Sequence, residues 1–296
     1  MSPHALPLLA QRLINRPLAV LPSKADMIVA VLAERLGISH IAHGGLVRPV
    51  MMDDDDEWGL NRQRAMRDPG YDLISGVAHI EISGTLVQKL GSVRPYSGMT
   101  GYDGIRQSFL AALADPQADA IMLCIDSPGG EVAGCFDLVD TIYAARGIKP
   151  IWAVLNEVAF SAAYAIASAA DVITVPRTGG TGSIGVIALH MDMSRALDAD
   201  GLTVTIISYG EKKAHGIDVA PLSDSARQAL QADIDAMGEL FVATVARNRG
   251  MSAGAVRDQQ AATFLGEAGL TAALADYVGA PSAAFSALIS TLEGTT

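Results

Sequence analysis

From Val77 onward, short apolar runs of strand length alternate with longer stretches whose apolar residues recur every three or four positions. This alternation limits the fold most, because parallel strands need long crossover connections and helices usually supply them. Strands are expected over 76–83, where Ala78, Ile80 and Ile82 share one face, and over the buried runs 120–125, 151–155 and 172–175. Helices are expected around Ile105, Phe109, Leu110 and Leu113, over 132–145, and over the Ala-rich stretch 161–170. Residues 184–191 and 202–207 read as two more strands with a short helical turn between them. The order predicts a layered α/β fold with crossover connections.

A long helix follows. The string Ser225-Ala226-Arg227-Gln228 reads as its capping box, Leu230, Ile234, Met237, Phe241 and Val245 form one stripe, and Gly250 ends it. Such a stripe packs on its own domain or on a neighbouring subunit. Residues 1–75 differ from the rest and read as a partly helical N-terminal extension. An amphipathic helix is expected over about 24–36, carrying Met27, Ile28, Val31, Leu32 and Leu36 with Gly37 as the stop signal. The acidic run Asp53-Asp54-Asp55-Asp56-Glu57 lacks the spacing and glycine of a calcium loop and reads as a solvated linker. The expected organisation is an extension over 1–75, a main domain over 76–280 and a tail over 281–296.

Half of the 296 residues are apolar and 18% are charged, which excludes wholesale disorder. The net charge of −11 opposes phosphate neutralisation, so nucleic acid is not an expected partner. Two cysteines, Cys124 and Cys135, suit a reducing compartment and exclude a cysteine metal site. No apolar run reaches the roughly 20 residues of a membrane span; 153–170 is broken by Asn156, Glu157 and Ser161. Leu6, Leu8 and Leu9 follow no positive charge and are interrupted by Arg12 and Arg16, unlike a secretory signal. The chain reads as soluble and cytoplasmic, with no membrane partner.

Four segments bear on chemistry. Gly180-Thr181-Gly182-Ser183-Ile184-Gly185 fits a dinucleotide-binding string, but Val186, Ile187, Ala188 and Leu189 follow it with strand composition where a helix is required. There is no phosphate-binding loop with lysine and no zinc-protease motif, so no cofactor or metal is expected. Asp126-Ser127-Pro128-Gly129-Gly130-Glu131-Val132 leaves a strand through a tight turn toward a helix, which could free backbone N–H groups for a developing oxyanion. Ser161 stands between a strand and a helix among small residues, as either a helix cap or a nucleophile. Ser208-Tyr209-Gly210-Glu211-Lys212-Lys213-Ala214-His215-Gly216 supplies two lysines, one of which could serve as a base if burial lowers its pKa.

Taken together, these segments resemble the signal peptide peptidase A family of Ser/Lys peptidases, over about 76–279. The resemblance rests on the opening strand, the turn Ser127-Pro128-Gly129-Gly130, the stretch from Ser161 through Tyr164 to Asp171, Thr181 to Val186, the Lys213 loop, and Glu267-Ala268-Gly269-Leu270 with Asp276. It implies a Clp-protease and crotonase-like layered fold of β-β-α units, with a peptidase domain over 76–280. It implies Ser161 as nucleophile, Lys213 as general base and Ser183 as the serine that orients the lysine. Gly129 and Ala162 would supply oxyanion N–H groups, and Gly130 and Tyr164 would contact substrate. Ala162 and Ala163 stand where the family usually has two glycines.

Alternatives stay open at the base. Lys212 adjoins Lys213, and His190 lies where histidine-using Clp relatives carry theirs; His215 reads as a loop residue. The chain looks most like the soluble phage and prophage branch, whose members mature heads by cutting scaffold and capsid proteins. That implies protein substrates, a homo-oligomer, and a location in the host cytoplasm or inside a procapsid. A bacterial housekeeping peptidase, a crotonase-type acyl-CoA enzyme and a silent assembly protein are the rival readings.

Overall fold

The structure is a computed structural model that describes residues 16–27 and 68–294. Its main sheet is built on parallel strands β3 (Val77–Ser83), β6 (Ala120–Ser127), β8 (Ile151–Ala159), β9 (Val172–Val175) and β12 (Tyr277–Val278), adjacent in that order. At the other edge β2 (Asp72–Ile74) runs antiparallel to β3. Along β6, Ala120 and Met122 join one apolar cluster while Ile121, Leu123 and Ile125 join another, the period-two pattern of a strand covered on both faces.

Helices provide that cover. On one face lie α1 (Tyr102–Ala114), α2 (Cys135–Ala144), α3 (Ala162–Ser168) and α5 (Asp224–Arg249), contributing Phe109, Leu138, Ile142, Tyr164, Phe241 and Val245 to the larger core. On the other face α8 (Pro281–Glu293) sets Ala284 and Leu288 against Val77, Met122, Trp152 and Val154. Each fully buried Leu, Ile or Phe contributes about 1.5–3 kcal/mol relative to exposure. The layered α/β architecture is the one the alternating pattern predicts. Among the described residues, no helix is long and apolar enough to cross a membrane.

Two features place the site. First, β8 forks: Trp152 to Val154 pair with β9, whereas Val158 pairs with β10 (Gly180–Gly182), which continues antiparallel to β11 (Thr263–Leu265). Second, a small sheet of order β1-β7-β4-β5 lies beyond the end of β6. It consists of β1 (Leu18–Val20), β4 (Thr85–Val87), β5 (Met99–Gly101) and β7 (Gly129–Glu131). The described residues also include short helices α4 (Ser194–Ala199), α6 (Ala253–Arg257) and α7 (Glu267–Thr271).

Several expectations need correction. Residues 184–191 form no strand, only single bridges at Ile187, which pairs with Leu18, and at Leu189. Residues 202–207 have strand composition but pair with nothing among the described residues, leaving Leu202, Val204 and Ile207 exposed. The helix expected from Val132 starts at Cys135, since Gly129 to Glu131 are drawn into β7. The cap of α5 is Ser223, whose hydroxyl accepts from the Ala226 amide, two residues before the expected box. Gly250 ends that helix in the left-handed conformation, as expected. Residues 22–27 are helical; the remainder of the helix expected to Leu36, and the acidic run at 53–57, lie outside the described residues.

Candidate active site

β6 and β8 end side by side, with Ser127 paired to Ala159 and the Phe160 amide donating to the Ser127 carbonyl at 3.1 Å. The turn after β6 and the turn after β8 are therefore pressed together. Ser161 occupies the second turn with φ 55 and ψ −121, and its side chain makes no capping bond to α3. A non-glycine residue in that region costs about 1–3 kcal/mol and persists only where its surroundings enforce it. The helix-cap reading of Ser161 thus fails. What holds the turn is the Ser161 amide, which donates to the Gly182 carbonyl at 2.9 Å, while Oγ is 3.4 Å from the Gly185 carbonyl it faces.

Gly182 ends β10, so the glycine-rich string is a strand clamped between β8 and β11 and leads into no helix. That removes the dinucleotide reading on structural grounds. Ser183 follows with the same left-handed φ of 55, is buried, and donates its amide to the Ala262 carbonyl at 2.8 Å. Ser161 and Ser183 are brought together through Gly182.

The turn after β6 lies against the nucleophile candidate. Gly129 has φ 99, and a Cβ there would fall 3.0 Å from the Ser161 Cβ and 2.2 Å from the Ala19 carbonyl oxygen, so only glycine fits. Its amide donates to Ser127 Oγ at 3.1 Å and would have to share that proton to hold an oxyanion. The Ala162 amide, at the first turn of α3, donates to no acceptor among the described residues. Gly130 sits in β7 between Ala19 of β1 and Leu86 of β4.

Other expected residues fall elsewhere. Tyr164 is fully buried and donates its hydroxyl to the Leu274 carbonyl at 3.0 Å; burial pushes the phenol above its usual range. It packs within the larger core cluster, on α3. The reason is that α3 is buried on every side, its alanines allowing close approach all round. Lys213 and Lys212 are exposed on a 3-10 turn over Glu211–Ala214, and among the described residues the Ser161 hydroxyl bonds to the Gly185 carbonyl and not to Lys213. His190 is largely buried, with Nδ1 3.9 Å from Asp218, and lines a cavity of about 330 Å³ with Leu189, Arg227 and Leu230. His215 is half-buried in the loop after the lysines.

The residue that sequence reasoning missed is Arg146. Its guanidinium donates to the carbonyls of Ser168, Ala169 and Ala170, capping the C-terminus of α3, and also reaches the Asn248 carbonyl. Cations are favourable at a helix C-terminus, but this one arrives from the turn after α2, so no local pattern announces it. Arg249 similarly grips Asp276 through two bonds of 3.0 and 2.8 Å, and Asp276 accepts the Ile173 amide.

Residues 144–293, about half the chain and the half that carries Ser161, Ser183 and Lys213, match peptidase family S49. This chain belongs to peptidase family S49. Among its relatives, capsid assembly protease C of Escherichia phage lambda is 38% identical over 281 residues, covering 92% of this chain and 62% of the relative. Head-tail preconnector protein GP5 of Enterobacteria phage P21 is 38% identical over 283 residues, covering 94% of this chain and 56% of the relative. This S49 chain therefore spans about three fifths of the length of these two relatives. Among solved structures, an enoyl-CoA hydratase from Shewanella pealeana superimposes with TM-score 0.47 at 13% identity, covering 75% of this chain and 72% of the other. A point mutant of ClpP1 from Listeria monocytogenes gives 0.41 at 13%, covering 68% of this chain and 91% of the other.

Proposed function

We propose that this S49 member is a serine endopeptidase that cuts assembly proteins of a tailed-phage head. The observation that carries the reading is the strained Ser161 turn. Its hydroxyl does not cap the helix, its amide is held by the Gly182 carbonyl, and the free Ala162 amide and Gly129 flank it. In this reading Ser161 Oγ passes its proton to the Lys213 amine while bonding to the substrate carbonyl carbon. The tetrahedral oxyanion is held by the Ala162 and Gly129 amides. Its collapse breaks the peptide C–N bond, the lysine returns the proton to the leaving amine, and water then hydrolyses the acyl-enzyme.

Lys213 is exposed in the single chain, whereas a lysine serves as a base from a desolvated site. It must be covered to act. The neighbouring run supports cover by a second copy, since Ile207 is 94% and Tyr209 100% exposed. The names of the phage relatives, one a capsid assembly protease and one a head-tail preconnector protein, support head proteins as substrates over housekeeping substrates. The test is co-expression with scaffold and capsid proteins, with products identified by mass spectrometry. Specific fragments should appear with the wild type and vanish with Ser161→Ala; fragments that persist in the variant would refute the reading.

A further inference from the structure

β1 lies in a slot. One edge pairs antiparallel with β7, in the register Leu18 to Glu131, Ala19 to Gly130 and Val20 to Gly129. The Leu21 amide extends that ladder to the Pro128 carbonyl at 3.0 Å. The other edge pairs with Ile187, the Leu18 amide donating to its carbonyl at 2.8 Å and the Leu18 carbonyl accepting its amide at 2.9 Å. Pro17 and Pro22 bracket the segment, and since proline lacks an N–H neither can continue a ladder as donor. Without β1, the edge of β7 and the backbone at Ile187 would face one another across a gap one strand wide, both with unmet hydrogen-bonding groups.

The slot runs past the nucleophile. The Ala19 carbonyl oxygen and the Ser161 Cβ crowd the same point beside Gly129, at 2.2 and 3.0 Å from it. Side chains alternate as they would in a bound peptide. Leu18 and Val20 pack with Ile187 and Leu189, while the small Ala19 turns into the cluster that contains Ala162 and Ala163. Leu18, Ala19 and Val20 are all buried, and Ser161 is itself only 1% exposed, so a substrate strand has no open path to it.

We infer that β1 is an internal occupant of the substrate groove: residues 17–21 hold the place of an extended peptide and must leave before a substrate strand can add to β7. This rests on the reading of Ser161 as nucleophile. It names the substrate form, a strand bound by main-chain bonds on both edges, with a small residue beside Ser161 and larger apolar residues flanking it. It also makes access to the site a competition between β1 and substrate.

A disulfide tests this. Leu18 and Ile187 are a hydrogen-bonded antiparallel pair, whose Cα separation of about 5.5 Å lies within disulfide range. The native thiols of Cys124 and Cys135 are pushed up to about 12 by burial and stay out of the way. Oxidised Leu18→Cys/Ile187→Cys protein should cleave an Ala-containing apolar peptide at least about tenfold more slowly than its reduced form, because the competent fraction is locked away. In a second arm, Leu18→Asp/Val20→Asp should react faster than wild type with a fluorophosphonate at Ser161. An oxidised double-cysteine protein as active as its reduced form, or folded Asp variants labelled no faster than wild type, would overturn the inference. A wild type that neither cleaves nor labels would instead remove the reading of the site itself, and the inference with it.

Discussion

The Ser161 amide donates to the Gly182 carbonyl at 2.9 Å, tying the turn after β8 to the end of β10. That bond brings together two serines 22 positions apart, both of which adopt φ of 55. It also makes the glycine-rich string part of the site's frame. The string reads as a cofactor loop only while its strand pairing is ignored.

Ser183 is the first consequence. If it orients the base, Ser183→Ala should lower kcat by about 10²-fold, in line with the loss of a positioned acid–base partner, and leave KM nearly unchanged. Steady-state kinetics together with an unchanged thermal midpoint check this. A shift in the midpoint with intact kcat would assign Ser183 a packing role.

Assembly should control activity. The exposed Ile207 and Tyr209 leave the lysine loop without cover in the single chain, so specific activity should rise with chain concentration. Ile207→Asp should shift light-scattering mass toward the monomer and reduce cleavage by about tenfold or more, as expected for an apolar residue at the centre of an interface.

Glycines at two positions should respond with opposite sign. A Cβ at Gly130 would collide with the Leu86 carbonyl oxygen at 1.8 Å, so Gly130→Ala should destabilise by about 2 kcal/mol or more, by backbone displacement. Gly238 lies within α5 with open space around it, and Gly238→Ala should stabilise by about 1 kcal/mol. Denaturant unfolding measures both.

Arg146→Ala should remove the cap from the C-terminus of α3 and leave buried carbonyls without their charged donor. A loss of about 2–3 kcal/mol is expected, with kcat falling because α3 carries Ser161 at its other end. Arg146→Lys should recover only part, since one ammonium cannot reproduce the planar fork.

His79 sets a pH dependence. Burial holds its pKa below the usual 6.5, against an opposing pull from Asp72, and its ring packs edge-on to Phe285 of α8 at 4.9 Å. A depressed folded value means that the unfolded chain binds the proton more readily. The associated stability is complete above 6.5 and is lost as pH falls through the lower folded value. Thermal midpoints should therefore drop between pH 7.5 and pH 5 by more in wild type than in His79→Gln, the pH values being about one unit or more on either side of 6.5.

Much of this is legible in the sequence, for reasons that particular residues make plain. β3, β6, β8 and β9 carry apolar residues on both faces and are bounded by turn residues, so length and composition locate them. Motif order singles out Ser161, Ser183 and Gly129, and the structure brings these three together. Long-range relationships are not legible. The three-residue strands β1 and β7 have no period of their own and are defined by pairing with each other and with β4 and Ile187. Arg146 reaches its carbonyls across the fold, and the complete burial of Tyr164 follows from packing of α3 on every side, which its sequence alone does not announce. The stretch 202–207 shows the converse, strand composition without a neighbour to pair with among the described residues.

The most direct measurement of the central claim is covalent labelling of the assembled protein with a fluorophosphonate, followed by peptide mapping. The account predicts a single stoichiometric adduct on Ser161, abolished in Ser161→Ala and strongly slowed in Lys213→Ala. An adduct elsewhere, or cleavage of head proteins that continues with Ser161 unmodified by saturating reagent, would contradict it.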